Sequence, residues 1–153
     1  MKRVAGHEHF QCDYCAGYFF PRENQDGVIV LEKTPAATCP ACATAMLVGS
    51  IDGRHVLHCP TCRGILTSNA NFGHIVRSRR AAFQGCGVIP QPIHEDEFNR
   101  ILLCPGCNKK MHVHPYYGPG AVVIDTCCSC MLIFLDHGEI AQIQRAPGGP
   151  IRN

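Results

Sequence analysis

Cysteine is the residue that most constrains this chain. Twelve of the 153 residues are cysteine, and ten of them form five Cys-x-x-Cys pairs. A tight turn between two such cysteines aims both sulfur atoms at one point and lets nearby backbone N–H groups bond to the thiolates. Two of these turns brought together give a tetrahedral four-thiolate site of the kind that zinc occupies. The pairs are Cys12/Cys15, Cys39/Cys42, Cys59/Cys62, Cys104/Cys107 and Cys127/Cys130, with Cys86 and Cys128 left over.

The gaps between the pairs indicate which pairs belong together. Sixteen residues separate the second pair from the third, and nineteen separate the fourth from the fifth. Each gap has room for a β-hairpin, with Asp52-Gly53 as the turn signal in the first and Gly118-Pro119-Gly120 in the second. The sequence therefore predicts two structural zinc sites. Their ligands are Cys39, Cys42, Cys59 and Cys62 in one site and Cys104, Cys107, Cys127 and Cys130 in the other.

Composition favours metal thiolates over disulfides. The N-terminal sequence has no apolar signal-peptide core, and no apolar stretch approaches the roughly 20 residues that cross a bilayer. We therefore expect a cytoplasmic protein that makes no membrane contact, in a reducing compartment where thiols stay free to bind metal. Disulfides and an iron–sulfur cluster are the alternatives. The chain has no Trp and only 7% aromatic residues, so structural zinc, at about 10–16 kcal/mol per site, would supply much of its stability.

The two four-cysteine segments repeat each other. Segments 39–75 and 104–143 each contain Cys-Pro-x-Cys, a Met, a hairpin, a second Cys-x-x-Cys, an apolar run and a short helical stretch. The second segment closes with 135–140, Leu-Asp-His-Gly-Glu-Ile. In these motifs the chain resembles the bacterial zinc-finger family named after the zinc ribbon of transcription factor IIB. The resemblance implies zinc and a ribbon fold, and the chain departs from it at Leu132, where the family has Gly, and at Phe134, where it has Trp.

Local signals place a helix after each repeat. The first repeat keeps the family's glycine at Gly64 and is followed by 71–83, where Phe72, Ile75, Val76 and Phe83 would form an uneven apolar face. In the second repeat, Asp136 is predicted to be the N-cap of a helix, and Glu139 follows three residues later, at the spacing of a capping box.

The pair Cys12/Cys15 has no obvious mate in the sequence. It could hold a third zinc, pair with Cys39/Cys42 across a hairpin, or share a zinc between two chains. We favour a third site, and a dithiol–disulfide redox role is the competing hypothesis. The candidate additional ligands are Cys86, His7, His9, His55, His58 and His74.

The fold class predicted from these patterns is small, mostly β and metal-dominated. It consists of tandem zinc ribbons, β-hairpins on four-cysteine zinc sites, each followed by a short helix. The expected division is an N-terminal knuckle segment 1–38, a first ribbon with helix 39–83, a linker 84–99, a second ribbon with helix 100–146, and a flexible tail 147–153.

Four thiolates around zinc leave no open position for water or substrate. We therefore expect a non-enzyme with no small-molecule substrate, acting as an adaptor or assembly module for a protein partner. A nucleic-acid-binding, transcription-associated role is the first alternative, although the net charge of +2 is small. A redox or metal-handling protein is the second. The cations that would contact phosphates are Arg77, Arg79, Arg80, Lys109 and Lys110.

Overall fold

The computed structural model describes residues 2–5, 9–19 and 21–148. The predicted tail 147–153 lies outside this part of the chain from residue 149 onward, and the candidate ligand His7 also lies outside it. Within the described residues the strands are β1 (Lys2–Arg3), β2 (Phe10–Gln11), β3 (Tyr18–Phe19), β4 (Ile29–Thr38), β5 (Ala45–Ile51), β6 (Arg54–His58), β7 (Ile65–Ser68), β8 (His112–Pro115), β9 (Val123–Cys127) and β10 (Leu132–Leu135). The helices are α1 (Asn69–Ala82), α2 (Glu139–Arg145) and a short 3-10 helix (Glu95–Phe98).

Strands β4 to β10 form one antiparallel sheet in the spatial order β4-β5-β6-β7-β10-β9-β8. Both predicted hairpins are present. Asp52 and Gly53 have φ of 48° and 76° and join β5 to β6, with Ile51 opposite Arg54. Such a two-residue turn matches the right-handed twist of its strands. The second hairpin pairs β8 with β9 from His112 to Pro115.

The two cysteine units meet where β7 pairs with β10. In this antiparallel pair Leu66 lies opposite Phe134, and Ser68 lies opposite Leu132. The repeat places Leu66 and Phe134 at equivalent positions, seven residues after the first cysteine of Cys59/Cys62 and Cys127/Cys130. The Leu66–Phe134 pair is therefore the centre of an approximate two-fold relation between the units.

Side chains on the joined strands alternate between two apolar clusters, as the period of a β-strand requires. On one face, helices α1 and α2 cover Ile65, Ile133 and Leu135. On the opposite face, Leu66 and Phe134 pack among the cysteines. The fold is thus a sheet with helices on one side and cysteines on the other.

Helix α1 follows β7 directly and is capped by Ser68, whose hydroxyl accepts a hydrogen bond from the N–H of Asn71 at 3.2 Å. Of its predicted apolar residues, Phe72, Ile75 and Val76 are buried, whereas Phe83 follows the end of the helix and is only partly buried. The prediction that Asp136 is the N-cap of α2 is wrong. The helix begins at Glu139, and its N-cap is Gly138, whose φ is 89°. Only half of the capping box is present: Oε2 of Glu139 accepts from the N–H of Asp136 at 2.7 Å.

The N-terminal part of the chain extends the sheet beyond the first repeat. Strand β4 pairs with nearly the whole length of β5, interrupted by three register shifts, two of which flank Pro35. Bulges and a proline are common devices on an edge strand, because they discourage pairing with other chains. The strands β1, β2 and β3 form a separate three-stranded sheet. Neither α-helix in the described residues has the length and apolar character needed to cross a bilayer.

Candidate metal centres

Each cysteine pair lies in a turn with a recurring backbone geometry. In the turn that begins at Cys39, its N–H donates to the carbonyl of Thr44 at 2.8 Å, and the N–H of Ala43 donates to the carbonyl of Cys39 at 2.9 Å. The chain closes this turn by placing Ala43 in the left-handed region, with φ of 59°. Such a φ is unfavourable for a residue with a Cβ. The turns at the other three pairs of the two units have their left-handed residue at the same position, at Arg63, Asn108 and Met131.

The paired turns bring the predicted ligands together in two groups of four. In each group the four Sγ atoms lie within 4.8 Å of one another. Within the first, Sγ of Cys39 lies 3.5 Å from that of Cys62, and Sγ of Cys42 lies 3.4 Å from that of Cys59. Tetrahedral zinc with Zn–S bonds near 2.3 Å requires sulfur–sulfur edges of about 3.8 Å. The two cysteine tetrads are therefore positioned to hold a metal ion.

Within each tetrad, hydrogen bonds, burial and neighbouring thiols shift the pKa values of the cysteines in opposite directions. The hydroxyl and backbone N–H of Thr44 lower the pKa of Cys42 to about 6, whereas burial raises that of Cys62 well above its usual range. In the second tetrad the N–H of Cys130 lowers the pKa of Cys127 to about 7, and the neighbouring thiol of Cys107 raises that of Cys130 to about 12. Four thiolates so close together require a cation to share their charge.

The described residues contain no third group of metal ligands. Cys86 and Cys128 are exposed. Among the candidate histidines, Nε2 of His58 lies 3.3 Å from a carboxylate oxygen of Asp26, and Nδ1 of His74 lies 3.2 Å from Arg54. The ligation predicted for Cys12 and Cys15 thus has no intramolecular completion in this part of the chain and stays a prediction.

Asp26 connects the N-terminal segment to both cysteine units, and sequence reasoning missed it. Its buried carboxylate accepts two hydrogen bonds from Arg63, at 2.8 and 2.9 Å, and lies 2.7 Å from Nδ1 of His137. Burial alone raises the pKa of Asp26, but the hydrogen bonds from Arg63, His137 and His58 outweigh it and hold the pKa below its ordinary value. Only the turn-like composition around Asp26 marks it in the sequence.

A second buried charge cluster surrounds the start of α2. The guanidinium of Arg100 binds both Asp125 and Asp136, with 2.9 Å between Nε and Oδ2 of Asp125. Asp125 is fully buried in β9. Burial also raises the pKa of Glu139 to about 8, well above its ordinary 4.5. In the sequence, Asp136 and Glu139 are noticeable only as a capping box, and Asp125 only as a charged residue within an otherwise apolar segment.

Glu139 makes the stability of the protein depend on pH. Between about pH 4.5 and 8 the folded chain keeps a proton on this carboxyl that the unfolded chain releases. The free energy of unfolding therefore falls as the pH rises through that window. We expect Glu139→Gln, which imitates the neutral carboxyl, to stabilise the protein by about 4 kcal/mol at about pH 8 and by no more than about 1 kcal/mol at about pH 5.

Thermal unfolding of both proteins at about pH 5 and about pH 8 measures this difference. Comparing the two chains at each pH cancels the titration of the thiols, which is common to both. An equal difference between them at the two pH values would contradict the assignment.

Two of the five cations proposed for phosphate binding make contacts inside the protein. Arg79 lies between Glu23 and Asp52, with 3.0 Å from its Nε to Oδ2 of Asp52. Arg80 is buried and donates to the carbonyls of Ile143, Ala146 and Gly148 at the end of α2. Cations are favoured at that end of a helix. These contacts account for Arg79 and Arg80 without nucleic acid.

No protein-family model matches the chain, and no curated protein or solved structure is significantly similar to it. The resemblance to the transcription factor IIB-type zinc ribbons therefore stays a prediction from the motifs. The fold and the two cysteine tetrads are what argue for a function.

Proposed function

We propose that the protein is a non-enzymatic adaptor, a tandem zinc ribbon whose two structural zinc ions hold a sheet that binds an extended segment of a partner protein. Zinc suits four thiolates at these distances, and a closed thiolate shell offers no position for a substrate. The observation that carries the binding role is a difference between the two units. In the first unit β4 pairs with the outer edge strand β5, whereas in the second unit most of the equivalent edge, along β8, has no partner within the described part of the chain.

In the first unit, β4 covers the outer edge of β5 from Ile29 to Thr38. The equivalent segment of the second unit pairs with the chain only at its end. Leu103 forms an isolated bridge with Lys110, and the N–H of Met111 donates to the carbonyl of Leu102. Beyond that point no strand of the described residues pairs with the outer edge of β8.

The open edge presents hydrogen-bonding groups at Val113. The N–H of Tyr116 points inward to the carbonyl of Val122. Because the backbone groups of an edge strand alternate between inward and outward directions, the N–H and C=O of Val113 point outward. An extended peptide pairs with groups of this kind in strand addition.

A groove beside β8 supplies contacts for side chains. It has a volume of about 340 Å³ and lies between the start of α1 and the β8–β9 hairpin. Phe72, Tyr116, Tyr117 and Met131 line it, and Tyr117 is 88% exposed. Lys109 and Lys110, both exposed, lie just before β8. We therefore expect a partner segment that alternates apolar with acidic side chains.

Selection from a phage-displayed random dodecapeptide library tests this function. The expected peptides alternate apolar and acidic residues and bind the wild-type protein. Val113→Pro removes the outward N–H but no bond to β9, so it should weaken binding about tenfold, the value of one hydrogen bond. Tyr117→Ser should also weaken it, whereas Ile89→Ser, a change at an equally exposed apolar residue away from β8, should not.

The proposal fails if no such peptide is enriched, or if the enriched peptides bind the Val113 and Tyr117 variants as they bind the wild type. Zinc content and circular dichroism of each variant show that its fold is intact. A salt-sensitive shift of DNA or RNA by the same protein, without peptide binding, would favour the nucleic-acid alternative instead.

A further inference from the structure

The turn at Cys12 and Cys15 has the backbone of a metal-binding turn. The N–H of Cys12 donates to the carbonyl of Gly17 at 2.8 Å, and the N–H of Ala16 donates to the carbonyl of Cys12 at 2.9 Å. Ala16 has φ of 56°. These are the same two hydrogen bonds and the same left-handed position as in the turn at Cys39 of the first tetrad. An unfavourable alanine conformation is thus kept where it shapes a pair of thiols.

The strands around this turn also repeat those of a cysteine unit. The turn joins β2 to β3, which pair through Phe10 and Phe19, as the turn at Cys39 joins β4 to β5. In a complete unit a second Cys-x-x-Cys turn follows from the next hairpin. Here the chain continues from β3 to β4 with no further cysteine before Cys39. The N-terminal sheet therefore carries half of a four-cysteine site.

The half-site is less covered than the tetrads at its first cysteine. The first cysteine of every tetrad turn is at most 3% exposed, whereas Cys12 is only partly buried. The second cysteine, Cys15, is exposed, as Cys42 of the first tetrad is. Three large aromatic side chains around the turn are also exposed: Tyr14 by 100%, Tyr18 by 61% and Phe19 by 51%. An apolar patch of this kind around an incomplete site indicates a surface that another chain covers.

The missing thiolates do not come from the rest of the described chain. Eight cysteines belong to the tetrads, and Cys128 lies within the turn of the second one. Cys86 is a single exposed thiol and forms no ligand group with Cys12 and Cys15. A tetrathiolate shell on this turn therefore requires two thiols from another molecule.

We propose that Cys12 and Cys15 bind zinc together with Cys12 and Cys15 of a second copy of this chain, in a shared site that joins a dimer. A two-fold axis through the ion needs only one self-complementary surface, and the aromatic patch supplies it. Lys2 and Asp13 lie 3.8 Å apart beside the turn and carry opposite charges. A two-fold axis can therefore place Lys2 of each copy near Asp13 of the other. This dimer does not depend on peptide binding at β8.

Native mass spectrometry with elemental analysis of the zinc-loaded full chain tests the shared site. We expect a dimer with five zinc ions, two in the tetrads of each chain and one shared. The double variant Cys12→Ser/Cys15→Ser should be a monomer with two zinc ions, since its tetrads are untouched. Cys86→Ser is the matched control and should keep the dimer and all five ions.

The other outcomes each overturn the proposal. A wild-type monomer with three zinc ions would show that ligands of the same chain complete the site. A wild-type monomer with two would show that the turn binds no metal. A dimer that survives in the double variant, or is lost in Cys86→Ser, would show that other residues hold it together. Incomplete loading of the tetrads would lower the number of bound zinc ions equally in the wild type and in every variant. Loss of the shared ion would lower it only in the double variant.

Discussion

Cys104→Ser is expected to unfold the whole seven-stranded sheet, including the first cysteine unit that contains none of the altered ligands. Removing one thiolate from a tetrad removes most of an apparent binding free energy of about 10–16 kcal/mol. That amount matches or exceeds the total stability of a typical domain, about 5–15 kcal/mol. The loss spreads because β10 of the second unit pairs with β7 of the first.

Far-UV circular dichroism and amide hydrogen exchange measure this loss. Rapid exchange should extend to β5 and β6, which belong to the first unit and contain none of the ligands of the altered tetrad. The matched control is Cys128→Ser, since Cys128 is exposed beside the same tetrad and should not affect stability. Protection of the first unit at its wild-type level would show that the two units fold independently.

Local signals in the sequence predicted the parts of this fold that local chemistry determines. Each hairpin lies where Asp52-Gly53 and Gly118-Pro119-Gly120 placed it. The eight cysteines of the two repeats form the two predicted tetrads. In both cases, residues close in sequence fix the conformation, because a turn and a cysteine pair constrain only a few dihedral angles.

Features that depend on distant residues were not predictable. Strand β4 lies in the segment 1–38, which was predicted to be an N-terminal knuckle. Its own residues contain no signal that it pairs with β5. Asp26 binds Arg63 and His137, which are far away along the chain. Charged partners carry no periodic signal, so only the assembled structure brings them together.

The junction of the units explains why one repeat has Gly64 where the other has Leu132. An added Cβ on Gly64 would lie 2.3 Å from Cζ of the Phe134 ring. The two-fold relation places Leu132 at the position equivalent to Gly64 and Leu66 at the position equivalent to Phe134. The ring of Phe134 thus lies over Gly64, whereas the equivalent pair consists of two leucines, Leu66 and Leu132. The side chain at 132 is tolerated because its neighbour there is smaller.

Gly64→Ala should therefore destabilise the protein by about 3 kcal/mol, because the fully buried Phe134 ring cannot move aside. Phe134→Leu replaces the ring by the leucine found at the equivalent position 66. In that background Gly64→Ala should lower the free energy of unfolding far less, so the two changes should be coupled by at least about 1 kcal/mol. Chemical denaturation of the four proteins in this cycle measures the coupling. The matched control is Gly73→Ala in α1, where the nearest contact is the mobile end of Arg77 and the helix should gain about 0.5–1 kcal/mol. If Gly64→Ala costs the same with Phe134 and with Leu at position 134, the two units do not pack against each other in the way that this junction requires.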